Sequence, residues 1–139
     1  MNYKMNRFLP HYIIFSLLLL LIIIGCDDSL SSEYLDDIEI PSTNVSYNEY
    51  IQPVLNVKCG TSGCHDDGTR AGDYSVSNWA NVVYPGIVDP GNVETSRLVW
   101  RIEGLGVPLM PPIGAMVRPL TINQVDGIKT WIREGAKNN

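Results

Sequence analysis

The stretch Cys59-Gly60-Thr61-Ser62-Gly63-Cys64-His65 places two thiols and one imidazole within seven residues of a 139-residue chain. Thiols and imidazoles are side chains that hold soft metals and covalently attached cofactors. The two glycines between them allow backbone conformations that other residues avoid, so the loop can wrap closely around a bound group. The domain is therefore expected to fold around this loop.

The residue types in this loop are those of a covalent haem c attachment site. Such a site uses two cysteines to form thioether bonds with the haem vinyl groups and an adjacent histidine to ligate the iron, usually in the form CxxCH. This chain has the longer form CxxxxCH, with two additional residues between the cysteines. The segments on either side of the loop therefore have to indicate whether a haem is bound.

The N-terminus has the pattern of a secretory signal. Lys4 and Arg7 precede an apolar run over residues 12–24, which is the order of basic and hydrophobic regions in signal peptides. The run is shorter than the roughly 20 apolar residues of a spanning helix, and it ends just before Cys26. This resembles a bacterial lipoprotein signal, so residues 1–25 are predicted to be a signal peptide, with lipid on the cysteine that follows.

The signal assignment determines where the mature chain lies and which cysteines and histidines it keeps. An uncleaved anchor helix is the alternative, and in either case the remainder is membrane-tethered in the bacterial cell envelope, outside the cytoplasm. Lipid on Cys26 leaves Cys59 and Cys64 as a pair. His11 leaves with the signal, so His65 is the one histidine of the mature sequence. This excludes a bis-His haem site or a His-rich zinc site within one copy.

Charge is distributed unevenly along the chain. Residues 27–43 contain six acidic side chains and no lysine or arginine, and such a segment buries too little apolar surface to offset its ordering entropy. Residues 26–44 are therefore predicted to be a flexible acidic tether. From Val45 onward, nine acidic residues nearly balance eight basic ones. The domain, residues 45–139, thus lacks the basic surface that nucleic-acid binding requires.

Helix signals begin at the start of this domain. Ser46 with Glu49 matches the capping box that opens a helix. Pro53 is expected either to kink that helix or to restart it, because proline fits only the first turn. The helix would deliver Cys59 directly from its C-terminal end.

Two short helices are predicted in the middle of the domain. One covers residues 77–83. The other covers residues 97–102, with Thr95 or Ser96 as its N-cap and Gly104 at its end.

The clearest helix signal lies at the C-terminal end. Thr121 and Gln124 form a second capping box, and apolar residues then recur at three- and four-residue spacing. Gly135 is placed as the C-cap, and Gly127 is expected to allow close packing against the first helix. Since the sequence has no clear strand-length alternation of apolar and polar residues, the predicted fold class is all-α.

One methionine stands out in the loop before the last helix. Most methionines fill gaps in cores, but Met110 lies in the proline-rich apolar run of residues 107–112. A rigid loop of this kind can hold a thioether at a fixed position, as an axial iron ligand requires. Met110 is therefore the candidate distal ligand, and Met116 is the alternative.

In their order and spacing, these parts resemble a small bacterial mono-haem cytochrome c domain carried on a lipoprotein. The resemblance covers nearly all of residues 45–136 and rests on the helix leading into the CxxxxCH loop, on Met110-Pro111-Pro112 and on the closing helix. It implies a cytochrome c-like fold of short helices and loops wrapped around one covalent haem c. By this resemblance Cys59 and Cys64 form the thioethers, and His65 and Met110 are the axial iron ligands.

The function that follows is outer-sphere electron transfer, because two occupied axial positions block substrate binding. The protein is then not an enzyme, and its partners are redox proteins that donate and accept electrons. A Cys59–Cys64 disulfide in a cofactor-free binding or structural lipoprotein is one alternative. Another is a haem enzyme with an open distal site, if Met110 does not bind iron. A zinc site built from the cysteines, His65 and Asp66 is a poor set of ligands.

Overall fold

The computed structural model describes residues 31–84 and 86–139. Within these ranges the chain forms five α-helices: α1 (Ser32–Asp36), α2 (Gln52–Lys58), α3 (Trp79–Val82), α4 (Arg97–Glu103) and α5 (Ile122–Arg133). A π-helical turn, Tyr47–Ile51, runs directly into α2, and a 3-10 turn covers Ala71–Asp73. The described residues contain no strand beyond one isolated bridge between Asp89 and Asn92, in agreement with the predicted all-α class.

Two parts of the prediction lie outside these ranges. The predicted signal peptide, residues 1–25, and the predicted lipid site, Cys26, belong to the part of the chain that is not described. None of the helices in the described ranges combines the length and the apolar character that crossing a membrane requires.

The helix that leads to the CxxxxCH loop starts at the predicted N-cap, Ser46, with one of the two hydrogen bonds of the predicted capping box. The Ser46 hydroxyl accepts a hydrogen bond from the Glu49 N–H at 3.2 Å. Pro53 lies in the first turn of α2, the part of a helix that best tolerates a residue without an N–H. The chain thus winds one π-helical turn and restarts as an α-helix, with Cys59 as the C-cap of α2.

Ser96 occupies the N-cap position of α4, but its side chain does not cap the helix. Its hydroxyl accepts a hydrogen bond from the Asp89 N–H at 2.9 Å and donates one to the Asn92 carbonyl at 2.7 Å. The hydroxyl therefore closes the preceding loop. At the other end of α4, Gly104 has a φ of 69°, and this left-handed conformation ends the helix as predicted.

The longest helix of the described residues, α5, contributes three residues to the buried core, Ile128, Trp131 and Ile132. Thr121 and Gln124 make both hydrogen bonds of the predicted capping box. Trp131 and Ile128 are fully buried, and the Trp131 ring lies 5.2 Å from the ring of Tyr47. Helix α5 therefore packs one face against the π-helical turn that precedes α2. This contact fixes the position of α2, the helix that ends at the CxxxxCH loop.

The acidic segment differs from its predicted role as a flexible tether. Its residues 31–44 include α1, and Leu35 and Ile40 are buried at 3% and 4% exposure. The Ile40 backbone makes two hydrogen bonds to the Asn123 side chain, at 2.8 and 3.1 Å. Two apolar anchors thus bind this part of the segment to the domain despite its charge, and its other predicted part, residues 26–30, lies outside the described ranges.

Gly127, on α5, is the residue against which Ile40 packs. A Cβ atom at this position would lie 2.6 Å from the Cγ2 atom of Ile40, closer than side-chain carbons approach. The close neighbour of Gly127 is therefore the N-terminal segment, and not the first helix of the predicted domain. The sequence prediction missed this pairing because it assigned Ile40 to the tether.

Candidate cofactor site

One cavity of about 300 Å³ brings together the residues that the sequence singled out. Cys59, Cys64, His65 and Met110 all line it. Its volume lies at the lower end of the range of ligand pockets, about 300–1,000 Å³. The cavity thus brings together side chains that lie up to 51 positions apart in the sequence.

Backbone hydrogen bonds fix the two ends of the CxxxxCH loop against each other. The Cys59 N–H donates to the Leu55 carbonyl at 2.9 Å, which anchors the loop to the last turn of α2. The His65 N–H donates to the Cys59 carbonyl at 3.0 Å, and the His65 carbonyl accepts from the Val76 N–H at 2.9 Å. The imidazole is therefore carried on a backbone that is held on both sides.

The two glycines of the loop serve different purposes. Gly63 has a φ of +87°, a left-handed conformation that strains other residues. Gly60 has no such φ, but a Cβ atom there would lie 3.0 Å from the Asn56 carbonyl oxygen and 3.2 Å from Val76 Cγ2. Gly63 thus supplies the turn, and Gly60 supplies the space for the loop to pack against α2.

The imidazole of His65 has a buried nitrogen with no partner. Its ring stacks on Tyr74, with the ring centroids 4.4 Å apart and the planes 16° from parallel. Within the described residues, Nδ1 makes no hydrogen bond although it is buried. Leaving a buried polar atom unsatisfied costs about 1–3 kcal/mol, and because this atom is itself buried it does not face the open cavity. Neutral imidazole nitrogens are common metal ligands.

The two cysteines are both free thiols, and they differ in exposure. Cys64 is half-buried. Cys59 is buried, and this burial, with a smaller contribution from the neighbouring Cys64, raises its pKa to about 12; Lys58 opposes the shift. Cys59 is thus a neutral thiol at physiological pH, facing a cavity that Cys64 also lines.

The loop between α4 and α5 places Met110 in the cavity wall and Met116 outside it. The Met110 N–H donates to the Arg101 carbonyl at 2.7 Å, which attaches the loop to α4. Met110 is half-buried and lines the cavity, whereas the side chain of Met116 is fully exposed and does not.

Helix α4 contributes charged groups that the sequence prediction did not assign. Arg97 and Arg101 both line the cavity, since residues four apart lie on the same face of a helix. Tyr74, the stacking partner of His65, also lines it. The i, i+4 arginine pair was visible in the sequence, but only the position of α4 shows that it faces the CxxxxCH loop.

The tryptophans belong to the packing of the molecule and do not line the cavity. Each indole N–H donates to a backbone carbonyl, at 2.8 Å for Trp79 to Ala136 and 2.6 Å for Trp100 to Glu94. Trp131 donates to the carbonyl of Lys137 at 2.8 Å. All three donors are therefore already in use.

The zinc alternative gains no support from side-chain positions. Across residues 31–84 and 86–139, no group of three or more His, Cys, Asp or Glu side chains is arranged to hold a metal ion.

Comparison with family models, with curated proteins and with solved structures found no match to this chain. Its function is therefore inferred from the cavity and the residues that line it.

Proposed function

We propose that this protein is a c-type cytochrome that binds one haem c covalently in this cavity. Cys59 and Cys64 would form the thioether bonds, and His65 and Met110 would ligate the iron. The observation that carries the proposal is the cavity itself, which two free thiols, an imidazole and a thioether line together.

The remaining walls of the cavity have the chemistry that a haem requires. Ile87, Leu98 and Val117 supply apolar surface for the macrocycle. Arg97 and Arg101 supply guanidinium groups, which pair well with carboxylates such as the haem propionates. The residues present therefore fit a haem.

When bound, haem c supplies a reversible one-electron couple between ferric and ferrous iron. His65 and Met110 would hold the iron, and this ligand pair raises the reduction potential. Two side-chain ligands would leave no place on the iron for a small molecule. The protein would then exchange electrons with partner proteins without chemistry on a bound substrate.

The location of the protein is proposed from the N-terminal sequence. Signal cleavage before Cys26 and lipid attachment there would tether the domain to a membrane of the bacterial cell envelope, facing the periplasm or the cell exterior. Its partners would be redox proteins in the same compartment.

Covalent attachment tests this proposal. The full chain, produced together with a haem-attachment system, should be red and should keep its haem after denaturation in acid and organic solvent. The single variants Cys59→Ala and Cys64→Ala should each keep one thioether bond, and the double variant should lose all covalent haem. A cytochrome with a CxxCH motif, matured in the same cells, serves as the control. Haem that dissociates from the denatured wild-type chain would overturn the assignment of the cysteines.

A further inference from the structure

Lys58, the residue directly before the CxxxxCH loop, is a buried cation beside the cavity. It is 1% exposed, and it is one of the residues that line the cavity. Its Nζ atom forms an ion pair with Asp36 of α1 and donates a hydrogen bond to the Pro119 carbonyl at 2.8 Å. Burying a lysine is costly unless it is paired and hydrogen-bonded, so these two contacts explain how it is tolerated.

The Asp36 carboxylate has further polar neighbours beside Lys58. The Gln124 side chain, which is fully buried, donates to the Asp36 carboxylate at 3.3 Å and to the Leu35 carbonyl at 3.0 Å. Arg118 lies 3.7 Å from the other carboxylate oxygen. The ion pair thus stands where α1, α2, α5 and the loop before α5 meet.

This loop, residues 104–121, is the one that carries Met110. Its first half is attached to α4 through the bond from the Met110 N–H to the Arg101 carbonyl. Its second half receives the bond from Lys58 at Pro119 and the contact from Asp36 at Arg118. The loop that carries Met110 is therefore held at both ends, and the second attachment reaches the N-terminal segment through the buried Lys58 side chain.

We propose that Lys58, fixed by Asp36, is a positioning residue that holds the loop carrying Met110 against the cavity. Helix α1 is then a structural part of the cofactor site, because it supplies the carboxylate without which the buried cation is unpaired. The effect on iron ligation rests on the proposed function, whereas the effect on the loop does not.

The first test measures hydrogen exchange of the loop amides in the full chain. Lys58→Met removes the cation while keeping an unbranched side chain, and we expect exchange over residues 105–120 about tenfold faster than in the wild type. The control, Lys129→Met, breaks a partly exposed ion pair of 2.7 Å with Glu103 and should leave this loop unchanged. Equal exchange in the two variants would overturn the proposal.

The double variant Asp36→Asn, Lys58→Met separates positioning from general stability. It leaves no unpaired buried charge and keeps an acceptor for Gln124, so it should recover the unfolding midpoint lost in either single variant. Because nothing restores the bond to Pro119, the loop should still exchange fast. If the double variant recovers slow loop exchange together with the midpoint, Lys58 acts through stability alone and the proposal is wrong.

Iron ligation gives a second readout in the haem-loaded protein. In Lys58→Met, the ferric methionine–iron absorption band should weaken while the haem stays covalently attached and the chain stays folded. Lys129→Met should keep the band at wild-type intensity. If the wild-type chain carries no haem, the proposed function fails, but the exchange experiments still decide whether Lys58 positions the loop.

Discussion

At the scale of single residues, the candidate site buries two groups that can titrate, a thiol and an imidazole. The Cys59 thiol is held neutral by burial, and the His65 Nδ1 atom is buried without a partner in the described residues. The sequence predicted these residues from their identity and spacing. It did not indicate that Tyr74 would stack on His65 at 4.4 Å, because nothing in the separation of nine positions between them specifies a contact.

The two methionines of the loop give a matched pair of variants. Met110→Ala should abolish the ferric methionine–iron absorption band and lower the reduction potential, since Met110 lines the cavity. Met116→Ala removes a fully exposed side chain and should change neither quantity. Visible spectroscopy and a redox titration of both variants check this. If only the Met116 variant loses the band, Met116 is the ligand and the assignment to Met110 is wrong.

The Cys59 thiol predicts a pH dependence of stability in the chain without haem. Burial raises its pKa from 9.0 to about 12. The unfolded chain therefore loses this proton at a lower pH than the folded chain, and stability falls as the pH rises between these values. Burial also raises the pKa of Tyr47, with the same sign.

Urea unfolding of the haem-free chain between about pH 8 and about pH 11 measures this effect. Cys59→Ala should flatten the fall in the midpoint. Cys64→Ala should keep most of it, because burial is the larger cause of the shift. An equally steep fall in Cys59→Ala and wild type would refute the assignment to this thiol.

At the scale of elements, local signals were sufficient for the starts of the helix that leads into the CxxxxCH loop and of α5, but not for the start of α1 or for what the helices contact. The caps at Ser46 and Thr121 involve residues three positions apart, so sequence alone predicts them. The Ser96 hydroxyl does not cap α4, because its hydrogen bonds are made to the backbone of Asp89 and Asn92 in the preceding loop. The packing of Ile40 on Gly127 joins residues 87 positions apart, beyond any local pattern.

Gly127 provides a test of this long-range contact. Gly127→Ala should destabilise the chain by about 1–3 kcal/mol, although alanine favours helices, because its Cβ would overpack against Ile40. The double variant Ile40→Ala, Gly127→Ala removes both Cγ2 and Cδ1 of the neighbour, the two closest atoms, and should recover part of that loss. Denaturant unfolding of the two single variants and the double variant gives the coupling energy. A stabilising Gly127→Ala would show that the N-terminal segment does not pack here.

At the scale of the whole molecule, the buried core draws residues from α2, α3, α4 and α5 and from the segment that contains Ile40. The CxxxxCH loop and the loop carrying Met110 both line the cavity. The hydrophobic core of a small domain contributes limited stability, and small domains usually depend on a further stabilising group such as a disulfide, a metal or a bound cofactor. The sequence anticipated the order of parts around the cavity. It did not predict that α1 belongs to the folded domain, because the acidic composition of that segment indicated a tether although Leu35 and Ile40 are buried.

Haem loading should therefore change the stability of the whole domain. The haem-free double variant Cys59→Ala, Cys64→Ala should unfold at a temperature more than about 10 °C below the haem-loaded wild type, because a bound group that contacts only the folded state stabilises it. Thermal unfolding followed by far-ultraviolet circular dichroism measures the difference. To separate the loss of haem from the substitutions, haem-free wild type serves as the control and should match the variant closely.

The visible absorption spectrum of the purified full chain, produced with a haem-attachment system and recorded oxidised and reduced, is the most direct test of the central claim. We expect a c-type spectrum whose ferric methionine–iron band disappears on reduction and returns on reoxidation. A colourless protein, from cells that mature a CxxCH control cytochrome normally, would contradict the claim that this cavity holds haem c.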